Sequence, residues 1–187
     1  TSEGGRCDAG IWGDYNNDDL LDILMLGQDF NGNENTEIYR NDGNNHFISI
    51  NANLRDGFRG GVDWGDYDND GDLDILLTGW GYSRIYRNNG NNTFSEQSTI
   101  QLQGISYGSA AWGDYDNDGW DDLFIATYQG QHDMLYRNNA NGTFTSITNS
   151  PVTNDNAWGT TGVWADYDND ADLDLFVTNN SFHNFLY

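Results

Sequence analysis

Trp12-Gly13-Asp14-Tyr15 returns as Trp64-Gly65-Asp66-Tyr67, as Trp112-Gly113-Asp114-Tyr115 and as Trp164-Ala165-Asp166-Tyr167, at spacings of 52, 48 and 52 residues. A second signature follows three of them: Ile38-Tyr39-Arg40-Asn41, Ile85-Tyr86-Arg87-Asn88 and Leu135-Tyr136-Arg137-Asn138. The fourth copy reaches only Leu186-Tyr187. A chain that repeats itself at this period stacks one supersecondary unit against the next. The units run over residues 1–56, 57–104, 105–156 and 157–187, the last incomplete, within a single repeat domain.

Each unit reads as short strands. In the second, Gly61 to Asp66 enters an acidic loop and Leu73 to Thr78 is an apolar run of strand length. Ser83 to Arg87 is a third strand, and Thr93 to Ile100 a fourth after an Asn/Gly turn cluster. His46 to Ile50 and Thr143 to Thr148 are the matching fourth strands of the first and third units, and the last unit has none. No segment shows a sustained helical period, so the chain is expected to be all-β, built as β-propeller blades. Three assemblies stay open: a segment of a larger propeller, a closed four-bladed ring, or two copies completing one ring. The recurring Trp12, Trp64, Trp112 and Trp164 are expected in the core between blades. Tyr39, Tyr86 and Tyr136 also read as structural.

The loops carry the chemistry. In Asp66-Tyr67-Asp68-Asn69-Asp70-Gly71-Asp72-Leu73-Asp74, acids stand at positions 1, 3, 5 and 9 with Gly at 6. A hard cation needs this alternation: calcium takes six to eight oxygens at about 2.3–2.6 Å, and a tight loop turns alternate residues inward. The candidate side-chain ligands are Asp66, Asp68, Asp70 and Asp74; Asp114, Asp116, Asp118 and Asp122; Asp166, Asp168, Asp170 and Asp174; and Asp14, Asn16, Asp18 and Asp22. Position 7 would add a backbone carbonyl, from Leu20, Asp72, Trp120 and Asp172. Asp19 and Ala171 stand where the other two loops have Gly, which makes the turn harder for them. The second and third loops are expected to bind best and the first, with Asn16, weakest.

Position 12 is Met25, Leu77, Ile125 or Val177, so the bidentate Glu of an EF-hand is missing. Magnesium rarely takes an all-protein cage, and three His with one Cys make zinc a poor fit. The formal net charge is −23, from 30 acids and seven Arg, and the loops hold 19 of those acids. Such a chain repels nucleic acid and anionic membranes. Four calcium ions, one per unit, would bring it to −15, and folding is expected to be coupled to their binding. No apolar run approaches a membrane span. Cys7, alone, forms no internal disulfide.

The acidic loop between two strands, preceded by Trp-Gly-Asp and followed by Tyr-Arg-Asn and a glycine turn, resembles the FG-GAP/VCBS repeat over nearly the whole chain. The resemblance implies calcium-bound propeller blades like those of integrin α chains and some lectins. It further implies an extracellular, secreted or cell-surface role in recognition or adhesion.

Strand one runs into the acidic loop and strand two runs back, so the loops at their other ends share the opposite face. Phe58, Tyr107 and Trp158 lie five or six residues before the recurring Trp. Trp80 and Tyr128 lie six residues after the last Asp of their loops, and Arg59 and Arg84 join them. Aromatics beside polar groups suit a glycan or glycoprotein, and they equally suit packing between blades. Arg40, Arg87 and Arg137 either brace carboxylates or face solvent.

The carboxylates are committed to metal, and His46, His132 and His183 share no repeated position, so no enzyme is expected. A calcium-binding recognition module is the leading reading. A purely structural scaffold repeat and an accessory domain of a larger secreted enzyme are the alternatives.

Overall fold

A computed structural model describes residues 6–105, 107–128, 132–154, 158–180 and 183–187. Among these there is no helix; the strands form four small antiparallel sheets, each a meander in chain order. The first blade holds β1 (Arg6–Gly13), β2 (Asp22–Gln28), β3 (Glu34–Asn41) and β4 (Phe47–Ser49). The second holds β5 (Val62–Gly65), β6 (Asp74–Gly79), β7 (Tyr82–Asn88) and β8 (Phe94–Glu96). The third holds β9 (Ala110–Gly113), β10 (Asp122–Ile125), β11 (Met134–Asn138) and β12 (Phe144–Ile147). The fourth has three strands, β13 (Gly159–Ala165), β14 (Asp174–Asn179) and β15 (Phe185–Leu186). Together they make a four-blade β-propeller that hydrogen bonds do not close. The fourth strands are shorter than their sequence runs, because pairing with the third strand lasts only three or four residues.

The second strands show which blades have neighbours. In β6 and β10 every residue is buried, as expected for a strand covered on both faces. β2 and β14 largely alternate, since among the described residues no further blade covers their outer faces. No helix is long and apolar enough to cross a membrane.

Adjacent blades meet through one repeated contact. The indole of Trp64 lies over Gly13, that of Trp112 over Gly65 and that of Trp164 over Gly113. A Cβ built on these glycines would stand 2.6, 2.6 and 2.7 Å from the nearest ring atom. Tyr15 stacks on Trp64 at 6.0 Å and 9°, with Phe94 at 5.8 Å from Tyr15. Tyr67 and Trp112 repeat the stack at 6.4 Å and 18°, with Phe144 beside them. Between the second and third blades, Asp63 accepts the Trp112 N–H and Asp121 accepts the Asp66 N–H.

One expectation fails here. Trp12 is not interblade core: it is 57% exposed, with Phe47 of its own blade edge-on at 6.1 Å. The reason is positional: the other three tryptophans each rest on a glycine of the preceding blade, and among the described residues no glycine stands in that place for Trp12. Trp164 is half-buried and meets Phe124 edge-on at 6.4 Å. At the other end Ala165 replaces the glycine, no indole lies on it, and Tyr167 is 70% exposed.

The interblade seat is testable by adding one methyl group. Gly65→Ala should lower stability by about 1–3 kcal/mol, because a rigid ring must move aside. Gly10→Ala, whose Cβ would meet nothing nearer than 3.7 Å, should change stability by less than about 0.5 kcal/mol. Urea unfolding of the two variants compares them directly.

Candidate functional site

Each acidic loop closes by the same set of bonds. The position 1 carboxylate takes two backbone N–H groups. Asp66 accepts from Asp70 at 3.0 Å and Gly71 at 2.9 Å, and Asp114 from Asp118 at 3.0 Å and Gly119 at 2.8 Å. Asp14 and Asp166 do the same with Asp18 and Asp19, and with Asp170 and Ala171. Position 5 accepts the N–H of position 7 in all four loops. The backbone is left-handed at position 4 (Asn17, Asn69, Asn117, Asn169) and again at position 6. Gly71 and Gly119 suit that conformation, while Asp19 at φ 65° and Ala171 at φ 75° adopt it against their steric preference.

The last aspartate is the buried anchor. Asp22, Asp74 and Asp122 are fully buried, and each accepts the N–H of the Asn that ends the third strand, Asn41, Asn88 or Asn138, at 2.7 Å. The second oxygen accepts the N–H of Tyr15, Tyr67 or Tyr115. Asp174 accepts the Tyr167 N–H in the same way, at 2.8 Å. Burial pushes Asp74 up to about 8 and Asp122 up to about 6, and raises Asp22 as well.

Carboxylates gather closely enough for a cation. Asp66, Asp68 and Asp70 place one oxygen each within 4.8 Å of one another, as do Asp114, Asp116 and Asp122, and Asp166, Asp168 and Asp174. The first loop, with Asn16 at position 3, does not bring three carboxylates this close. Two oxygens aim inward without a partner: Asp68 Oδ1 and Asn16 Oδ1 are buried and accept no hydrogen bond. Both stand at position 3, where an ion held by the loop would take a ligand. Asp168 is raised first by its neighbour Asp170, the signature of crowded like charge. The donor set is all oxygen, which suits a hard divalent cation.

Arg87 and Arg137 brace these loops from outside. Arg87 bonds Asp68 Oδ2 at 2.7 Å and Asp70 Oδ2 at 2.8 Å, leaving Asp68 Oδ1 free to face inward. Arg137 holds Asp116 and Asp118 in the same way, at 2.7 and 3.1 Å.

The loops also hold one another, which the sequence reading missed. Asn17 donates to Asp72 of the next loop at 2.9 Å, Asn69 to the Gly119 carbonyl at 2.7 Å, and Asn117 to Asp172 at 2.6 Å. Asn88 and Asn138 donate across the boundary to the Tyr15 and Tyr67 carbonyls, each at 2.8 Å. The signal was present, since an Asn recurs at position 4 of every loop and after each Tyr-Arg. The side chains of Asp72 and Asp172 therefore serve the neighbouring loop, and among position 7 groups only the carbonyls of Leu20, Asp72, Trp120 and Asp172 are left to reach an ion.

On the opposite face, five of the seven candidate contact residues form one row. Ring centroids run from Phe58 to Trp80 at 5.7 Å, to Tyr107 at 6.4 Å, to Tyr128 at 5.8 Å and to Trp158 at 5.7 Å. Trp80 is 56% exposed and Tyr107 37%; the other three are half-buried. The Arg59 guanidinium lies 4.9, 5.1 and 4.9 Å from the rings of Phe58, Trp80 and Tyr107. Arg84 is not brought into the row, because it pairs with Glu96 on β8 at 2.8 Å. The first strands line an open cleft of about 920 Å³ whose walls include Arg59, Tyr107 and Tyr128.

Backbone strain in the fourth loop gives a direct test. Ala171→Gly should raise stability by about 1 kcal/mol by relieving the left-handed alanine, and Gly71→Ala should lower it by a similar amount. A Cβ at Gly71 would meet nothing within 4 Å, so that change reports backbone alone. Thermal melts in chelator read both.

No curated protein matches the chain significantly. Among solved structures it is similar to an Agrocybe aegerita lectin described for its specific recognition of non-reducing terminal N-acetylglucosamine. The TM-score is 0.58 at 18% identity, over 94% of this chain and 51% of the lectin. The chain thus spans about half the length of that protein, and the likeness is one of fold. The FG-GAP-like repeat family matches at residues 14–77, 66–125 and 114–177. These overlapping matches each run from one acidic loop to the second strand of the next blade, and on them the chain belongs to the FG-GAP-like repeat family.

Proposed function

We propose that this chain is a calcium-stabilised recognition module for glycans or glycoproteins, acting outside the cell. The observation that carries the reading is the row of five aromatic rings around Arg59, set on the face away from the acidic loops. Sugar rings present flat C–H faces and hydroxyl rims. Exposed aromatic faces take the first, and a guanidinium donates to the second. The fold likeness to a sugar-binding lectin supports the same reading.

Calcium is the ion of choice for the loops. Position 3 leaves inward oxygens without partners, carboxylates crowd within 4.8 Å, and the outer Arg clamps fix their orientation. Bound calcium would supply charge neutralisation and rigidity. The carboxylates in this reading hold an ion and carry out no catalysis. A cytosol poor in free calcium would serve such loops badly, which favours an extracellular, secreted or cell-surface setting.

A glycan array probed with the protein in calcium, and again in chelator, tests recognition. Binding in calcium that Trp80→Ala reduces at least tenfold without unfolding is the expected result. Silence in both conditions from a folded sample would remove glycan recognition and leave a structural repeat.

The loop chemistry sets a pH dependence. Asp74 and Asp122 titrate near 8 and 6 in the fold against an ordinary 3.8, so the folded state binds protons more tightly than the unfolded chain. Their stability contribution is full below about pH 4 and is lost as pH rises through about 6 to 8. In chelator the melting temperature should therefore fall from pH 5 to pH 8. Saturating calcium, which binds the deprotonated loops, should abolish or reverse that fall. Calorimetry at the two pH values, with and without calcium, decides it.

A further inference from the structure

The aromatic row crosses two blade boundaries. Phe58 and Trp80 come from the second blade, Tyr107 and Tyr128 from the third and Trp158 from the fourth, and every step between neighbouring centroids is 5.7–6.4 Å. Backbone bonds fix the spacing. Gly81, next to Trp80, donates to the Ile105 carbonyl of the third blade at 2.7 Å. Tyr128 donates to the Tyr107 carbonyl at 3.0 Å and Asn180 to the Trp158 carbonyl at 3.1 Å. The Asn180 side chain then reaches back to the Tyr128 hydroxyl at 2.7 Å.

Two residues in the row pay for their position in strain. Arg59 at φ 58° and Tyr107 at φ 62° are left-handed without being glycine, and such outliers concentrate where function fixes geometry. The Arg59 N–H is tied to Asp8 at 2.9 Å. Its guanidinium makes no ion pair among the described residues, whereas Arg6, Arg84, Arg87 and Arg137 each hold a carboxylate. An uncommitted cation among exposed rings, in so acidic a chain, is free to serve a ligand.

We propose that the row binds a linear glycan lengthwise, with several consecutive sugar units laid from the second blade to the fourth, and that it is not a pocket for one terminal sugar. This rests on the glycan reading above. The two most exposed rings, Trp80 and Tyr107, lie side by side with Arg59 near both, and half-buried rings continue the row on either side. A single sugar covers one ring and leaves the rest in water. A chain covers successive rings, which are turned 37–67° to one another so that faces and edges alternate along the row, and the row is already assembled before binding. Arg59 donates to hydroxyls of a neutral chain or to the carboxylate of a uronic-acid unit.

The test is titration calorimetry in calcium with two linear series, chitin-derived and hyaluronan-derived, from the shortest unit to the hexasaccharide. Affinity should rise about tenfold or more with length in at least one series. The series that gains more identifies what Arg59 contacts. Trp158→Ala and Phe58→Ala, at the two ends of the row, should remove most of the gain with length, costing the hexasaccharide at least about fivefold more affinity than the shortest unit. Trp80→Ala should weaken every length. Circular dichroism checks the fold of each variant, and either end variant alone suffices for the test. Length-independent binding, or an equal loss at all lengths in a folded end variant, overturns the lengthwise mode while leaving glycan binding intact. No binding at any length in either series overturns both.

Discussion

Like charge packed into tight turns is the condition under which everything else in this molecule is arranged. Most of the acids stand in four loops, and each loop spends its first, fifth and ninth carboxylates on its own backbone N–H groups. That self-bonding gives the turn its shape and leaves selected oxygens at position 3 facing inward with nothing to hold. Guanidinium groups from the third strands neutralise the outer side of two loops. A cation on the inner side would do the same there. The strands on either side of each loop begin and end where these bonds place them.

The loop and the interblade contact are also joined. The tyrosine at position 2 donates its N–H to the buried aspartate, stacks its ring on the next tryptophan in the first two boundaries, and offers its carbonyl to an Asn of the next blade. Ordering a loop therefore orders a boundary. On the far face one backbone bond, from Gly81 to Ile105, and one side-chain bond, from Asn180 to Tyr128, cross between blades, so the aromatic row is tied across the same boundaries.

Much of this was legible in the sequence. Alternating acids, apolar second strands and Tyr-Arg-Asn place loops, strands and blades without any coordinates, and the five row aromatics stand at matched offsets from the recurring Trp and Asp. What escaped depends on neighbours. The exposure of Trp12 follows from the blade it would lean on, which its own segment does not describe. Asn17, Asn69 and Asn117 read locally as turn formers, because a left-handed Asn is common in turns and its cross-blade acceptor lies fifty or more residues away. Arg84 sits near Trp80 in sequence, but its guanidinium turns to Glu96 on the neighbouring strand.

The indole seated on a glycine recurs at each boundary with little change, so the molecule behaves as a short one-dimensional array in which each blade is held only by those beside it. Among the described residues the second and third blades carry this contact on both sides, so a disturbed seat is felt by two blades at once. The row of rings crosses two of the three boundaries, and its register is therefore set by the same indoles that rest on the glycines.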